Sequence, residues 1–182
     1  MACSIHRPPT ERAIRAENLT RDFGAIRAVD ALTMEVPAGI VLGFLCPDGS
    51  GKTTTIRLLL GLLEPTSGQA QVLGFDTRKQ ANGIRERALF HRPALLFLDE
   101  PTAGLDPAAA ADMREGLAEL TERHGVTVFL TTHNLAEAEK LCQHPVGLRE
   151  GDAPVAGPAL AELPDLVRHR GMNAGRSDLR SA

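Results

Sequence analysis

The chain has 182 residues, 43% of them hydrophobic, which is the composition of a folded globular domain and excludes a disordered chain. Its net charge of −3, with both signs mixed along the sequence, excludes the basic stripe of a nucleic-acid-binding protein. No apolar run approaches the ~20 residues that span a membrane, and the three separated cysteines (Cys3, Cys46 and Cys142) predict reduced thiols rather than disulfides or a metal site.

The predicted elements alternate between strands and helices. Strands are predicted at 14–19, 31–36, 40–45, 69–75, 94–100 and 126–132, from alternation or from short apolar runs. One helix follows the loop after the third strand, a second begins after Asp106, and a third begins after Asn134. Segment 77–93 has no clear identity beyond a short helix at 84–90. This alternation indicates an α/β fold with a mostly parallel sheet flanked by helices.

Apolar residues at helical spacing predict which faces of two helices are buried. In the first helix they are Ile56, Leu59, Leu60 and Leu63, and in the second they are Met113, Leu117 and Leu120. Both helices are therefore expected to cover the sheet with these stripes.

The stretch CPDGSGKTTT, residues 46–55, lies between a buried strand and an amphipathic helix. Glycines there permit positive φ angles, and the helix directs the positive end of its dipole at a bound anion. Lys52 is predicted to neutralise phosphate charge, Thr53 to bind Mg²⁺ and Thr54 to contact phosphate. The predicted nucleotide-binding residues are Cys46, Pro47, Asp48, Gly49, Ser50, Gly51, Lys52, Thr53 and Thr54. The alternative is a glycine-containing loop that only reverses the direction of the chain and binds no nucleotide.

Cys46 stands where the phosphate-loop pattern G-x-x-x-x-G-K-[ST] has glycine. Its Cβ is tolerated at a negative φ, whereas a positive φ would cost ~1–2 kcal/mol. We therefore expect at most a weakened site. As a thiol, Cys46 is expected to be a small buried residue without a partner cysteine.

Two further strand ends carry polar residues that fit phosphate chemistry. Asp99 and Glu100 follow a buried strand, and His133 follows the next one. Asp99 is predicted to hold Mg²⁺ through water, Glu100 to orient or deprotonate the attacking water, and His133 to contact the γ-phosphate. Adjacent acids at a strand end, or a lone histidine, are otherwise ordinary surface features.

Together these segments resemble the nucleotide-binding subunit of an ATP-binding cassette (ABC) transporter. CPDGSGKTTT resembles the Walker A loop, ALLFLDEPTAGLDP the Walker B strand, catalytic glutamate and D-loop, and TTHNLAEAEKLC the histidine switch. The resemblance implies a P-loop NTPase core with a small antiparallel β part at the N-terminus. It covers 14–165, leaving 1–13 and 168–182 as loose termini. It also places Phe23 where the family stacks an aromatic ring on adenine, although a core phenylalanine is the simpler alternative.

Three family features are absent between the early strands and the Walker B strand. They are the glutamine loop, the helical subdomain and the L-S-G-G-Q signature. Sequence that resembles the family's region before the glutamine loop is followed directly by sequence that resembles the region after the signature. The junction between the two, the predicted seam, lies near Arg87–Ala88. Gln80 lies too early to replace the missing glutamine. The sequence thus predicts an internally deleted cassette whose exposed surfaces carry an aggregation risk.

The resemblance implies an ATP-binding, ATPase-type subunit that uses ATP and Mg²⁺ and hydrolyses weakly or not at all alone. The alternatives are a non-catalytic nucleotide-binding or regulatory module, or a non-functional gene remnant. Implied partners are the transporter's membrane subunit, although the coupling surface is missing, and an intact cassette. Nucleic acid is not expected. The implied location is cytoplasmic, with a peripheral position at the inner face of the membrane as an option.

Overall fold

The computed structural model describes residues 12–45, 47, 49–89, 93–134, 136, 138, 140, 142, 144–149, 152–156 and 167–168. The strands are β1 (Arg12–Phe23), β2 (Ile26–Pro37), β3 (Val41–Leu45), β4 (Ser67–Val72), β5 (Phe75–Asp76), β6 (Leu95–Asp99), β7 (Thr127–Thr132), β8 (His144–Arg149), β9 (Asp152–Ala156) and β10 (Val167–Arg168). The helices are α1 (Lys52–Leu59), α2 (Ala81–Leu89) and α3 (Pro107–His124).

The strands form two sheets of different kinds. One is antiparallel, in the order β10-β2-β1-β4-β5, and begins with the long β1–β2 hairpin. The other, in the order β6-β7-β3-β8-β9, is parallel except for the β8–β9 hairpin. The predicted fold class is confirmed: a mostly parallel P-loop NTPase-type sheet with helices, and an antiparallel part built from the N-terminal half and extended by β10.

The main core lies between the two sheets. It joins Ile14 and Leu32 of the antiparallel sheet to Phe44 and Phe129 of the parallel sheet, with Leu58 of α1 between them. A second cluster on the opposite face of the parallel sheet is covered by α3, through Leu117, and contains Val41, Val128, Leu130 and Cys142. Both faces of the parallel sheet are therefore covered, as the continuous apolar sequences of its strands predict.

The structure differs from the sequence prediction at the end of the first helix. The apolar spacing predicts a helix continuing to Leu63, but α1 ends at Leu59. Gly61 adopts φ 64°, a left-handed conformation that ends helices readily. Leu60 and Leu63 still pack against the main core, but from the turn that follows the helix.

The predicted start of the second helix is confirmed, but its apolar stripe is not buried along its whole length. Asp106 caps α3 by accepting hydrogen bonds from the amides of Ala108 and Ala109, which hold the pKa of Asp106 below its ordinary value. Leu117 is buried, whereas Leu120 is 36% exposed. The prediction for Leu120 is wrong because this residue lies at the rim of the face that α3 presents to the sheet.

Residues around the predicted seam form an ordered helix. α2 occupies 81–89, slightly earlier than the short helix predicted at 84–90. Its Ile84 is fully buried in the main core, and the Arg87 guanidinium lies 4.5 Å from the centre of the Phe75 ring. Because α2 contacts both β5 and β6, it links the antiparallel sheet to the parallel one. The join is therefore packed into the main core through Ile84.

Replacing Ile84 with alanine should lower the free energy of unfolding by about 3 kcal/mol, because truncating a buried isoleucine typically costs 2–5 kcal/mol. Chemical denaturation measures this change. Glu86→Ala, at an exposed position of the same helix, is the matched control and should change stability little. Equal stability of the two variants would show that α2 does not close the core at the seam.

The strand that ends in the two acids lies at the margin of its sheet. Within the described ranges, β6 pairs only with β7, and its Leu96, Phe97 and Leu98 are half-buried. An apolar strand with an unpaired edge is a template for association with other chains. Among the described strands, β6 is therefore one at which association with other chains is expected.

Candidate functional site

The predicted site residues follow three adjacent parallel strands. β3 lies next to β7, and β7 lies next to β6. The register pairs Leu45 with Thr132, and Asp99 with Thr131, so the three strands end at the same level. The loop after β3, the acids after β6 and His133 after β7 consequently meet at one edge of the sheet. This carboxyl edge is where α/β sheets bind ligands.

The glycine loop has the backbone conformations of an anion-binding turn. Gly49 and Gly51 adopt φ 78° and 90°, and the loop leads directly into α1. A Cβ on Gly51 would overlap the carbonyl oxygen of Ala28, so only glycine fits there. At Gly49, by contrast, no heavy atom of the described residues beyond its chain neighbours lies within 4 Å of the position that a Cβ would take.

Several polar groups of the loop are available to an anion. Helix α1 has no side-chain cap at its N-terminus, and the buried Ser50 hydroxyl has no hydrogen-bond partner within the described part of the chain. Pro47 is exposed at the start of the loop, and its carbonyl accepts a hydrogen bond from the Ser50 amide at 3.3 Å. Thr54 is half-buried in the first turn of α1. The predicted residues Cys46 and Asp48 lie outside the described residues.

Lys52, Glu100 and His133 form a charged cluster at the mouth of the loop. The Lys52 ammonium is 2.7 Å from Glu100 Oε1, and His133 Nδ1 is 2.9 Å from Glu100 Oε2. Lys52 is only 7% exposed, whereas the His133 side chain is 53% exposed. The Glu100 carboxylate therefore lies between the loop lysine and the histidine and contacts both.

Thr53 and Asp99 form the second predicted pair. The Thr53 hydroxyl donates to Asp99 Oδ2 at 2.6 Å, and the Thr131 hydroxyl donates to Asp99 Oδ1 at 2.6 Å. Hydroxyl and carboxylate oxygens are the ligands that Mg²⁺ prefers, and this ion usually takes few protein ligands beside phosphate oxygens and water. The oxygen pair fits such an ion. Correspondingly, the described ranges contain no group of three or more His, Cys, Asp or Glu side chains that could form a protein-only cage.

Thr131 was not predicted as a site residue. It is fully buried, its hydroxyl bonds Asp99, and its carbonyl accepts a hydrogen bond from the Glu100 amide at 3.1 Å. Glu100 itself has φ 50°, an unusual backbone conformation for a non-glycine residue and one found at functional sites. The only sequence signal is the pair of threonines ending a strand of otherwise apolar residues.

Phe23 is on the surface at the end of the β1–β2 hairpin rather than in the core. It is 46% exposed, pairs across the hairpin with Ile26, and has the Arg21 guanidinium 4.6 Å from its ring centre. Ile26 is 71% exposed and lies two residues before Ala28, the residue that contacts Gly51. Phe23 and Ile26 therefore form an exposed apolar pair on the hairpin whose second strand reaches Gly51 through Ala28.

Comparison with known proteins identifies two family matches along the chain. The ABC transporter family matches residues 29–88, and a family described as an AAA domain, putative AbiEii toxin of a type IV toxin–antitoxin system, matches residues 87–139. The two matches meet at Arg87–Ala88, the predicted seam. No helix among the described residues has the length and apolar character required to cross a bilayer.

Relatives and solved structures agree with the family matches. The bacitracin transport ATP-binding protein BcrA of Bacillus licheniformis is 31% identical over 205 residues, covering 76% of this chain and 67% of its own. An uncharacterised ABC transporter ATP-binding protein, YdbJ of Bacillus subtilis, is 30% identical over 209 residues, covering 78% and 68%. The fold is that of the cbiO1 subunit of an ABC transporter complex from Clostridium perfringens, with TM-score 0.73 at 18% identity, covering 86% and 92% of the two chains.

The lengths of these alignments are consistent with the deletion. The match to BcrA runs over 205 residues, more than the 182 residues of this chain, because the relative contains residues without a counterpart here. The glutamine loop, the helical subdomain and the signature are the segments that the sequence lacks. The chain belongs to the ATP-binding proteins of ABC transporters, and it is an internally deleted member.

Proposed function

We propose that the chain binds Mg·ATP at residues 49–54 and that its hydrolysis of ATP is severely impaired. The observation that carries this proposal is the meeting of Lys52, Glu100 and His133 at one sheet edge, with distances of 2.7 Å and 2.9 Å through the Glu100 carboxylate. A lysine and the amides of a helix N-terminus are the groups that hold the phosphates in P-loop proteins.

The triphosphate is held by the backbone amides of Gly49–Thr54, the Ser50 hydroxyl and the Lys52 ammonium. These groups supply fixed donors and positive charge at the open side of the loop. Thr53 and Asp99 hold Mg²⁺, which neutralises charge on the phosphate oxygens when it is bound.

Glu100 orients or deprotonates the attacking water, and His133 contacts the γ-phosphate. His133 lies within hydrogen-bond distance of Glu100, so the two side chains are placed to act on the same end of the triphosphate. Any residual hydrolysis depends on this pair.

Hydrolysis is impaired because the signature sequence and the glutamine loop are absent. In the family resemblance, the signature helix of one cassette binds the γ-phosphate held by the other. Loss of one preorganised donor typically reduces a rate by ~10²–10³. Two copies of this chain cannot supply the missing donors to each other, since neither contains them.

The partners follow from the same reasoning. An intact cassette would complete one composite site, with this chain's loop, acids and His133 facing the partner's signature. The membrane subunit of an ABC transporter is the second partner, although the surface that couples to it is largely missing here. The location remains a prediction: cytoplasmic, peripheral to the membrane when assembled.

A non-catalytic nucleotide-binding or regulatory subunit is the second candidate function. The absent signature favours it, because binding needs only the loop and its magnesium residues, whereas turnover needs donors from a partner. The two candidates differ in whether the isolated protein has any turnover that depends on Glu100.

Replacing Phe23 with alanine should weaken ATP binding about tenfold and leave binding of tripolyphosphate unchanged. Stacking of a base on an aromatic ring contributes ~1–3 kcal/mol, and tripolyphosphate has no base to stack. Calorimetric titration of both ligands in Mg²⁺ measures the difference.

Leu62→Ala is the matched control for Phe23→Ala, since Leu62 is a large apolar residue, 57% exposed, beyond the opposite end of α1. It should change neither affinity. Equal ATP affinity in the Phe23 variant and the wild type would show that Phe23 does not contact the bound nucleotide. Absence of ATP and tripolyphosphate binding in the wild type would refute the proposed function.

A further inference from the structure

Thr131 connects the two acidic residues of the site through three hydrogen bonds. Its hydroxyl donates to Asp99 Oδ1 at 2.6 Å and accepts from the Glu100 amide at 3.3 Å, and its carbonyl accepts from the same amide at 3.1 Å. Thr131 is fully buried, and the parallel register places it directly beside Asp99. Its position is therefore fixed by the sheet and does not depend on the exposed loops.

The bond from Thr131 restricts how the Asp99 carboxylate can turn. Asp99 is exposed, so nothing in its burial fixes the rotation of its side chain. With Oδ1 held by Thr131, Oδ2 is directed at the Thr53 hydroxyl, 2.6 Å away. The two oxygens assigned to Mg²⁺ are thereby held together before the ion binds. Hydrogen bonds behind a metal ligand commonly set its orientation in this way.

The bonds to the Glu100 amide have a second effect. Glu100 adopts φ 50°, which an L residue occupies only when its surroundings hold it there. The hydroxyl and the carbonyl of Thr131 both accept a hydrogen bond from the backbone amide of Glu100, which is the residue with the strained conformation. The same threonine thus also fixes the backbone from which the Glu100 carboxylate reaches Lys52.

Two other buried threonines of β7 have different partners. The Thr127 hydroxyl accepts from the Gly39 amide at 2.9 Å, and the Thr132 hydroxyl accepts from the Asn134 amide at 3.1 Å. Both bonds support turns of the main chain. Thr131 differs from them because its hydroxyl donates to a carboxylate of the site.

We propose that Thr131 is a positioning residue for the magnesium site, and that it acts by orienting Asp99 toward Thr53. This inference rests on the proposed function. It predicts a loss of metal affinity, with little change in the binding of nucleotide without metal, when the hydroxyl is removed.

The test is the binding of Mn²⁺, a paramagnetic substitute for Mg²⁺, to the nucleotide-loaded protein, measured by electron paramagnetic resonance. Thr131→Val removes the hydroxyl, keeps the branched shape, and should weaken Mn²⁺ binding 10–100-fold, the typical effect of losing a partner behind a metal ligand. Thr131→Ser keeps the hydroxyl and should bind Mn²⁺ within about threefold of the wild type. Nucleotide affinity in EDTA should be the same for all three proteins.

Thr127→Val is the matched control, since Thr127 is as buried, lies in the same strand, and also loses one hydroxyl bond. It should bind Mn²⁺ like the wild type. Equal Mn²⁺ affinity in Thr131→Val and the wild type would overturn the inference while leaving the proposed function intact. A wild type that binds no nucleotide would overturn both.

Folding of the variants is checked by thermal melting. If Thr131→Val does not melt cooperatively, Thr131→Ala replaces it in the same measurement. If neither variant folds, Thr131 is required for folding of the core, and its positioning role is overturned.

Discussion

Replacing Lys52 with alanine should weaken binding of Mg·ATP by about 30–100-fold. A hydrogen bond to a charged group contributes ~1.5–3 kcal/mol, and each 1.4 kcal/mol is a tenfold change in affinity. The Lys52 ammonium is buried and lies against Glu100, so its attraction for phosphate is not diluted by solvent as that of an exposed lysine would be. Isothermal titration with ATP and with tripolyphosphate measures the loss, which should be the same for both ligands.

Arg57→Ala is the matched control for the Lys52 variant. Arg57 is an exposed basic residue in the last turn of α1, so its removal changes the net charge equally without touching the loop. It should reduce affinity less than about twofold. Equal losses in the two variants would show that Lys52 acts only through overall charge and would remove it from the site.

Replacing Glu100 with glutamine should reduce residual ATP hydrolysis by at least about 100-fold. General acid–base catalysis contributes ~10²–10⁴, and an amide cannot accept the proton of the attacking water. Single-turnover hydrolysis of radiolabelled ATP is sensitive enough to follow the slow rate. The same substitution should leave ATP binding intact or strengthen it, because the Glu100 carboxylate lies 2.7 Å from Lys52 and competes with phosphate for it.

Two controls separate these effects of Glu100. Glu115→Gln, at an exposed position of α3, tests general loss of negative charge and should change neither rate nor affinity. The double variant Lys52→Ala, Glu100→Gln should show no gain in affinity over Lys52→Ala, since the competition requires both residues. Turnover equal to that of the wild type in Glu100→Gln would remove the base role and favour the non-catalytic subunit.

The site residues that follow strands could be predicted because the ends of the apolar strands are clear in this sequence. The three apolar strands end at Leu45, Asp99 and Thr132, and adjacent parallel strands bring such ends to one sheet edge. The loop itself carries a motif whose glycines the structure places at positive φ. The fold class followed from the same alternation of strands and helices.

Other features depend on contacts that a sequence does not contain. The end of α1 was misplaced because the apolar spacing continues past Gly61, and only the backbone conformation shows that the helix has ended. The ion pair between Lys52 and Glu100 joins residues that are distant in the chain, so no local pattern indicates it. Thr131 was missed for the same reason, since its importance lies in its register beside Asp99.

At the seam, the structure contains a helix that the sequence indicates only weakly. The sequence around Arg87–Ala88 has no strong period, yet α2 forms there because Ile84 reaches a core built by distant strands. Tertiary packing decides such a segment more than intrinsic propensity does. A deletion that removes whole segments can thus leave a closed core.

The central claim is that the phosphate loop of this deleted cassette still binds nucleotide. The most direct measurement is a titration of the purified protein with a fluorescent ATP analogue in Mg²⁺, followed by competition with unlabelled ATP and with tripolyphosphate. We predict saturable binding of one analogue per chain that both competitors displace. A protein that melts cooperatively but shows no saturable, displaceable binding would contradict the claim.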